Sequence, residues 1–255
     1  YLSNKIPGSS YRIKIILFLS LVDFFIFYLL YKNYSLKVGL LFFLNPISII
    51  ITGYHNQFNA LALLIGFLAI LLYEKNKFKN QIIVPLILLG LSLSAKHILI
   101  FFPIWWAVKE KKLINKILIL FVPYSISIIS FLPFLPGDLE NIIDKLLFES
   151  RRADGPFWGM FGPKIIHMYF SLQTLFPIIL IALGFVFENK KLRESFFLYT
   201  IAVVAFSSMM YTQYLMIPLI ALAVFWNWKY FLYSFLAFLL FLVDGDLLNI
   251  AILRE

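Results

Sequence analysis

Apolar runs follow one another along almost the whole chain, at roughly 12 to 31, 38 to 52, 58 to 73, 81 to 95, 98 to 108, 113 to 135, 168 to 187, 195 to 208, 211 to 227 and 230 to 243. Such a pattern leaves few folds open. Crossing a hydrocarbon core of roughly 30 Å takes about 20 apolar residues in a helix, and in lipid only helices or closed barrels satisfy every backbone N–H and C=O. The runs are continuous rather than alternating over ten residues, which selects helices over barrel strands. At 62% hydrophobic and 14% charged residues, with a mean hydropathy of +0.91, the chain lies far outside the composition of soluble domains. The expectation is an all-α, polytopic transmembrane helical bundle, one transmembrane domain over 1–255, in which the shorter runs form helical hairpins.

A formal charge of +9 would suggest nucleic acid in a soluble protein. Here the lysines fall in short loops between apolar runs, so the partner they imply is the membrane and nucleic acid is excluded. "YKNYSLK" carries Lys32 and Lys37, "EKNKFKN" Lys75, Lys77 and Lys79, "KEKKLINK" Lys109, Lys111, Lys112 and Lys116, and "ENKKLRE" Lys190, Lys191 and Arg193. The positive-inside rule assigns these four loops to the cytoplasm. The other connections then fall outside: "GYHNQFNA", "SAKH", the stretch 136–167 and "SMMYTQY". The alternation closes if 81–108 is a hairpin with its apex at Lys96 and His97. Lys5, Arg12 and Lys14, at the outer end of the first run, go against the rule. The chain holds no cysteine and begins at Tyr1 without a signal-peptide pattern. The gene product is expected to begin upstream and to reside in a prokaryotic plasma membrane rather than the endoplasmic reticulum.

On this topology the three histidines, His55, His97 and His167, share the outer face with the adjacent Arg151 and Arg152. Within 136–167, Leu139, Ile142, Ile143, Leu146 and Leu147 share one helical face and Glu140, Asn141, Asp144 and Lys145 the other, behind Asp138 as N-cap. This predicts a helix lying in the interface. "ESRRADGPFWGMFG" after it is too rich in Gly and Pro to continue a helix. Arg151 and Arg152 fit bidentate binding of a headgroup phosphate, or pairing with Glu149, Asp154 or bulk anionic lipid. Lys96 and His97, inside a long apolar run, face a water-filled cavity, or Lys96 snorkels to the interface. In "HNQFN", Asn56 or Asn59 caps a helix, or His55 and Gln57 bind an anion or sugar hydroxyls beside the positive end of the next helix. Asp23 faces the bundle interior in a polar helix contact, and Tyr211 with Gln213 belongs to an interfacial belt. No glycine-rich phosphate loop, metal-ligand spacing, nucleophile elbow or dinucleotide fingerprint is present, so neither a metal nor a cofactor is expected.

"NPISIIITGYHNQFNALALLIGFLAI", a basic loop, and then "LGLSLSAKHILIFFPIWWAV" together resemble the paired signature of the GT-C superfamily of membrane glycosyltransferases. The likeness is greatest to the dolichyl-phosphate-glucose-dependent glucosyltransferases of asparagine-linked glycan assembly and their prokaryotic relatives. In that family an Asn-Pro pair precedes a span, a His-x-Gln-(Phe/Tyr)-Asn motif begins the next, and a Lys-(Gln/His) pair sits in the following hairpin. Asn45 with Pro46, His55 with Gln57, Phe58 and Asn59, and Lys96 with His97 match these in order and spacing, and Arg152 with Trp158 resembles a later outer loop. The resemblance covers most of 36–165.

It implies transfer of a hexose, glucose or mannose, from a polyprenyl-phosphate sugar donor to a hydroxyl on a lipid-linked glycan or similar acceptor, with inversion, on the extracytoplasmic face. Lys96, His97, Arg151 and Arg152 would bind the donor phosphate. His55, Gln57 and Asn59 would hold the donor, and Trp158 would stack on a sugar. The resemblance also implies a first span and first outer loop upstream of Tyr1, where the general base is expected, with Asp154 as the internal fallback. A transporter or flippase of lipid-linked or anionic substrates, or a noncatalytic membrane subunit, is the alternative.

Overall fold

The computed structural model describes residues 11–75, 82–134, 172–207 and 211–243, all-helical and without a strand among them. The described residues separate into two compact units, one drawn from Tyr1–Leu61 with Tyr211–Glu255, the other from Ala62–Met210.

The first unit opens with α1 (Tyr11–Asn33), whose 23 residues reach about 35 Å at 1.5 Å each, enough to cross a bilayer. One stripe, Leu19, Val22, Asp23, Ile26 and Leu30, is buried, while Leu17, Leu21, Phe24, Phe25 and Tyr28 point outward. A helix apolar all round with only one stripe covered fits a lipid surrounding. α2 (Leu36–Phe43) packs on α1, its N-terminus capped by Ser35, whose hydroxyl accepts from Val38 N–H at 3.3 Å. Gly39 makes the approach feasible, since a Cβ there would lie 2.9 Å from the Phe27 ring.

The run expected to be continuous over 38–52 is broken. Leu44 leaves the helical region (φ −91, ψ 6), and Asn45, extended at φ −67 and ψ 128, starts α3 (Pro46–Ile50). The cause is local and tertiary together. The Asn45 Oδ1 accepts from Ile47 N–H at 2.9 Å and Pro46 occupies the first helical position, where its missing N–H costs nothing. The Asn45 amide also donates to the Tyr230 hydroxyl and to Ser234 Oγ, each at 2.8 Å. α2 and the segment Pro46–His55 meet at 46°. The run expected over 211–227 is likewise a 3₁₀ turn (Thr212–Met216), a short α10 (Leu219–Val224) and a stop at Phe225. α11 (Trp228–Val243) follows and packs on α3.

α4 (Asn59–Lys75) begins in the first unit and supplies the second from Ala62 onward. Then come α5 (Ile83–Ala95), a 3₁₀ turn (His97–Leu99), α6 (Phe102–Lys109), α7 (Leu113–Phe131), α8 (Leu172–Val186) and α9 (Leu192–Ala205). α4 and α5 run oppositely and α6 returns. Ser92, near the end of α5, donates to the Ala62 carbonyl at 2.7 Å, while Tyr73, near the end of α4, donates to Glu110 just past α6. The core of this unit is aromatic, with Phe67, Phe102, Trp105, Trp106, Phe196, Phe197 and Tyr199 at most 1% exposed. Phe67 stacks on Phe196, and Trp105 and Phe102 meet Tyr199 edge-on. α1 and α7 are each long and apolar enough to cross a membrane, and the bent pair α2 with Pro46–His55 makes a third.

Candidate functional site

"GYHNQFNA" folds into a turn with three distinct parts. α3 passes into a π-helical turn (Ile51–His55), whose extra residue per turn widens the backbone and exposes its carbonyl end. Asn56 stops it in the left-handed conformation at φ 52, the one such non-glycine residue among those described. Asn tolerates this region because its amide bonds locally, here toward the Tyr54 carbonyl at 3.4 Å. The Gln57 amide reaches the His55 carbonyl at 3.4 Å. Both contacts are at the long end of hydrogen-bond geometry. His55, half-buried, has its ring edge-on to Tyr54 and tilted against Phe241 at 5.7 Å. The α4 amide end follows at once and contributes its positive dipole.

Arg12, one of the three basic residues at odds with the positive-inside rule, has a local reason to be there. Its guanidinium lies 5.6 Å from the Tyr54 ring centroid and donates to the Tyr54 carbonyl at 3.4 Å. A cation at the carbonyl end of a helix is favourable. Arg12 therefore joins this cluster as a candidate that the sequence reading treated only as an anomaly. Asn59, a candidate sugar ligand, is turned inward and fully buried, with its amide donating to the Gln213 carbonyl at 2.6 Å. Its amide thereby ties the start of α4 to the Gln213 backbone.

Beneath the turn, Asp23 is 4% exposed and faces inward, as its position in the first run suggests. Thr52 Oγ1 donates to its Oδ2 at 2.5 Å, and Ser48 Oγ lies 3.5 Å from the same oxygen. The spacing from Ser48 to Thr52 puts both hydroxyls on one helical face, so α3 and the π-turn are held to α1 by one carboxyl group.

In the second unit, Lys96 and His97 sit at a break. Lys96 is extended (φ −164, ψ 136), closing α5 with its N–H on the Ser92 carbonyl, and His97 opens the 3₁₀ turn. His97 is exposed and Lys96 half-buried, and burial pushes the Lys96 ammonium down to about 8. A backbone leaving helical geometry must find other partners for its polar groups. Tyr199, fully buried, supplies two, its hydroxyl accepting from Phe101 N–H at 3.2 Å and donating to the Ile98 carbonyl at 2.9 Å. The Tyr124 hydroxyl donates to the Ile100 carbonyl at 2.5 Å. Neither tyrosine was legible as a site residue, for no local pattern ties positions 124 or 199 to Lys96.

Arg151, Arg152, Asp154, Trp158 and His167, with the interface helix expected within 136–167, lie outside the described residues. The turn of His55 and Gln57 belongs to the first unit and the Lys96–His97 break to the second. No protein-family model, curated protein or solved structure matches the chain.

Proposed function

We propose that this chain is a multi-pass, GT-C-like membrane hexosyltransferase that takes its sugar from a polyprenyl phosphate and passes it, with inversion, to a hydroxyl of a lipid-linked acceptor on the extracytoplasmic face. In that reaction the acceptor oxygen bonds to the anomeric carbon as the bond from that carbon to the phosphate oxygen breaks. The polyprenyl phosphate leaves as an anion and the acceptor proton passes to a base, for which Asp154 is the candidate in this chain. Cations already in place at the departing phosphate stabilise the transition state more than the ground state.

The observation that carries the reading is the Lys96 break. A lysine and a histidine stand side by side where two antiparallel helices join, and two tyrosines, Tyr199 fully buried and Tyr124 half-buried, hold that backbone out of helical form. Lys96 and His97, with Arg151 and Arg152, are assigned to the phosphate. His55 and Gln57 are assigned to the donor, with Arg12 beside them and Asn59 as a positioning residue, and Trp158 to sugar stacking.

One observation favours a second reading. The span at Leu36–His55 is broken, and its buried Ser48 and Thr52 bond to the buried Asp23 of α1, polar groups beside a break of the kind that transporters use for coupling ions. Reconstitution of the purified chain with a polyprenyl-phosphate hexose separates the two. Donor retention or hexose transfer that Lys96→Gln abolishes supports the transferase. Solute flux that Asp23→Leu abolishes supports the transporter, and neither result leaves a noncatalytic subunit.

A further inference from the structure

A groove of about 690 Å³ runs along the first unit between α2, the start of α3 and α11, within the size range of small-molecule sites. Its walls are Leu36, Leu40, Leu41, Leu44, Pro46 and Phe231. From Leu36 to Leu44 it follows the helix for about 12 Å at 1.5 Å per residue, most of the depth of one leaflet in a core of roughly 30 Å. The polar groups at its far end are already engaged. The Asn45 amide donates to Tyr230 and Ser234, and the Tyr230 hydroxyl donates to the Leu41 carbonyl at 2.5 Å. An occupant there is asked for apolar contact and for no hydrogen bond.

The near end is different. Lys37 lines the groove, with its ammonium 3.3 Å from the Trp226 ring centroid. Trp226, Trp228 and Lys229 are all exposed there, an aromatic and cationic belt of the kind that sits at a headgroup layer. Among the described residues no carboxylate pairs with Lys37, and none lines the groove. Asp23 is buried with Thr52. An anion bound at this end of the groove would answer the charge of Lys37.

We propose that this groove is a binding site for an anionic phospholipid, one acyl chain lying along α2 and the headgroup phosphate at Lys37 beside Trp226. The site is independent of the transferase reading. It is tested by native mass spectrometry of the purified chain in micelles holding equal amounts of phosphatidylglycerol and phosphatidylcholine. The wild type retains phosphatidylglycerol in preference. Lys37→Gln lowers that retention about five-fold and removes the preference, as expected for one basic side chain at an anionic headgroup. Lys37→Arg keeps the preference, and Leu40→Trp, which fills the groove, lowers retention of both lipids. Equal retention of the two lipids by the wild type would overturn the proposal whatever the variants do. So would phosphatidylglycerol retention unchanged in both Lys37→Gln and Leu40→Trp.

Discussion

At Lys96 the fold and the proposed phosphate site place opposite demands on one proton. Burial lowers its ammonium from 10.5 to about 8, so between those values the unfolded chain holds more protons than the folded one. Stability then rises with pH across that window, because the cost of the buried charge disappears as the proton leaves. A phosphate site loses its cation over the same window. The proposal therefore predicts that donor binding, or kcat/KM where transfer is seen, falls as pH rises above about 8 while thermal stability holds or increases. A parallel loss of both would make Lys96 a structural residue. Replacing it by Gln should raise the barrier to transfer by about 2 to 4 kcal/mol, the scale of one preorganised electrostatic contact, with the fold intact. Asn45 is the contrasting case, since its motif position is accounted for by a cap and two side-chain hydrogen bonds, one buried and one part-buried. Asn45→Ala should cost about 2 kcal/mol of stability, read as a lowered melting temperature in detergent, and Asn45→Asp, which keeps the cap acceptor, should cost less.

Among the elements, the apolar runs made most of the helices legible, because the 3.6-residue repeat and the loop lysines act over short distances. α1, α4, α5 and α7 lie close to where the runs predict them. The breaks were less legible for a physical reason. Asn45 interrupts 38–52 with partners 185 and 189 residues further along the chain, and no local window of hydropathy registers them. The π-turn before Asn56 is equally silent in composition. The site was partly legible through His55, Gln57, Lys96 and His97, whereas Arg12 and the two tyrosines bracing the break became visible only through their contacts. This gives the break at Lys96 its own prediction. Tyr199→Phe leaves the Phe101 N–H and the Ile98 carbonyl without their partner, at a cost of about 2 to 4 kcal/mol. Hydrogen exchange should accelerate over 97–101 more than elsewhere in the chain. Acceleration spread evenly along the chain would show that the hydroxyl serves general packing and not the break.

For the molecule as a whole, the arrangement in the bilayer is the claim with most at stake, because an extracytoplasmic donor site requires His97 and the loop lysines to lie on opposite sides. Within the second unit the segments assigned to the cytoplasm gather at one end. Arg193 pairs with Glu74 at 2.5 Å, with both side chains about a quarter exposed, and Tyr73 donates to Glu110. Lys109 donates to the carbonyls of Phe187, Glu188 and Lys190 at 2.5, 2.9 and 3.0 Å, capping the chain just past α8. It thus has a structural task beyond setting orientation, and burial lowers its ammonium somewhat despite Glu188 and Glu194 nearby. Lys96 and His97 stand at the other end, where α5 stops beside the start of α4. Because the chain has no cysteine, single replacements report cleanly. His97 and Lys111 are both exposed, so a thiol at either position is within reach of a water-soluble reagent. An impermeant maleimide applied to intact cells should label His97→Cys and leave Lys111→Cys unlabelled until the membrane is opened. The reverse pattern would invert the topology and put the Lys96 break in the cytoplasm, where the proposed extracytoplasmic transfer has no place. Labelling of both from outside would mean that this pair of helices does not cross the membrane at all.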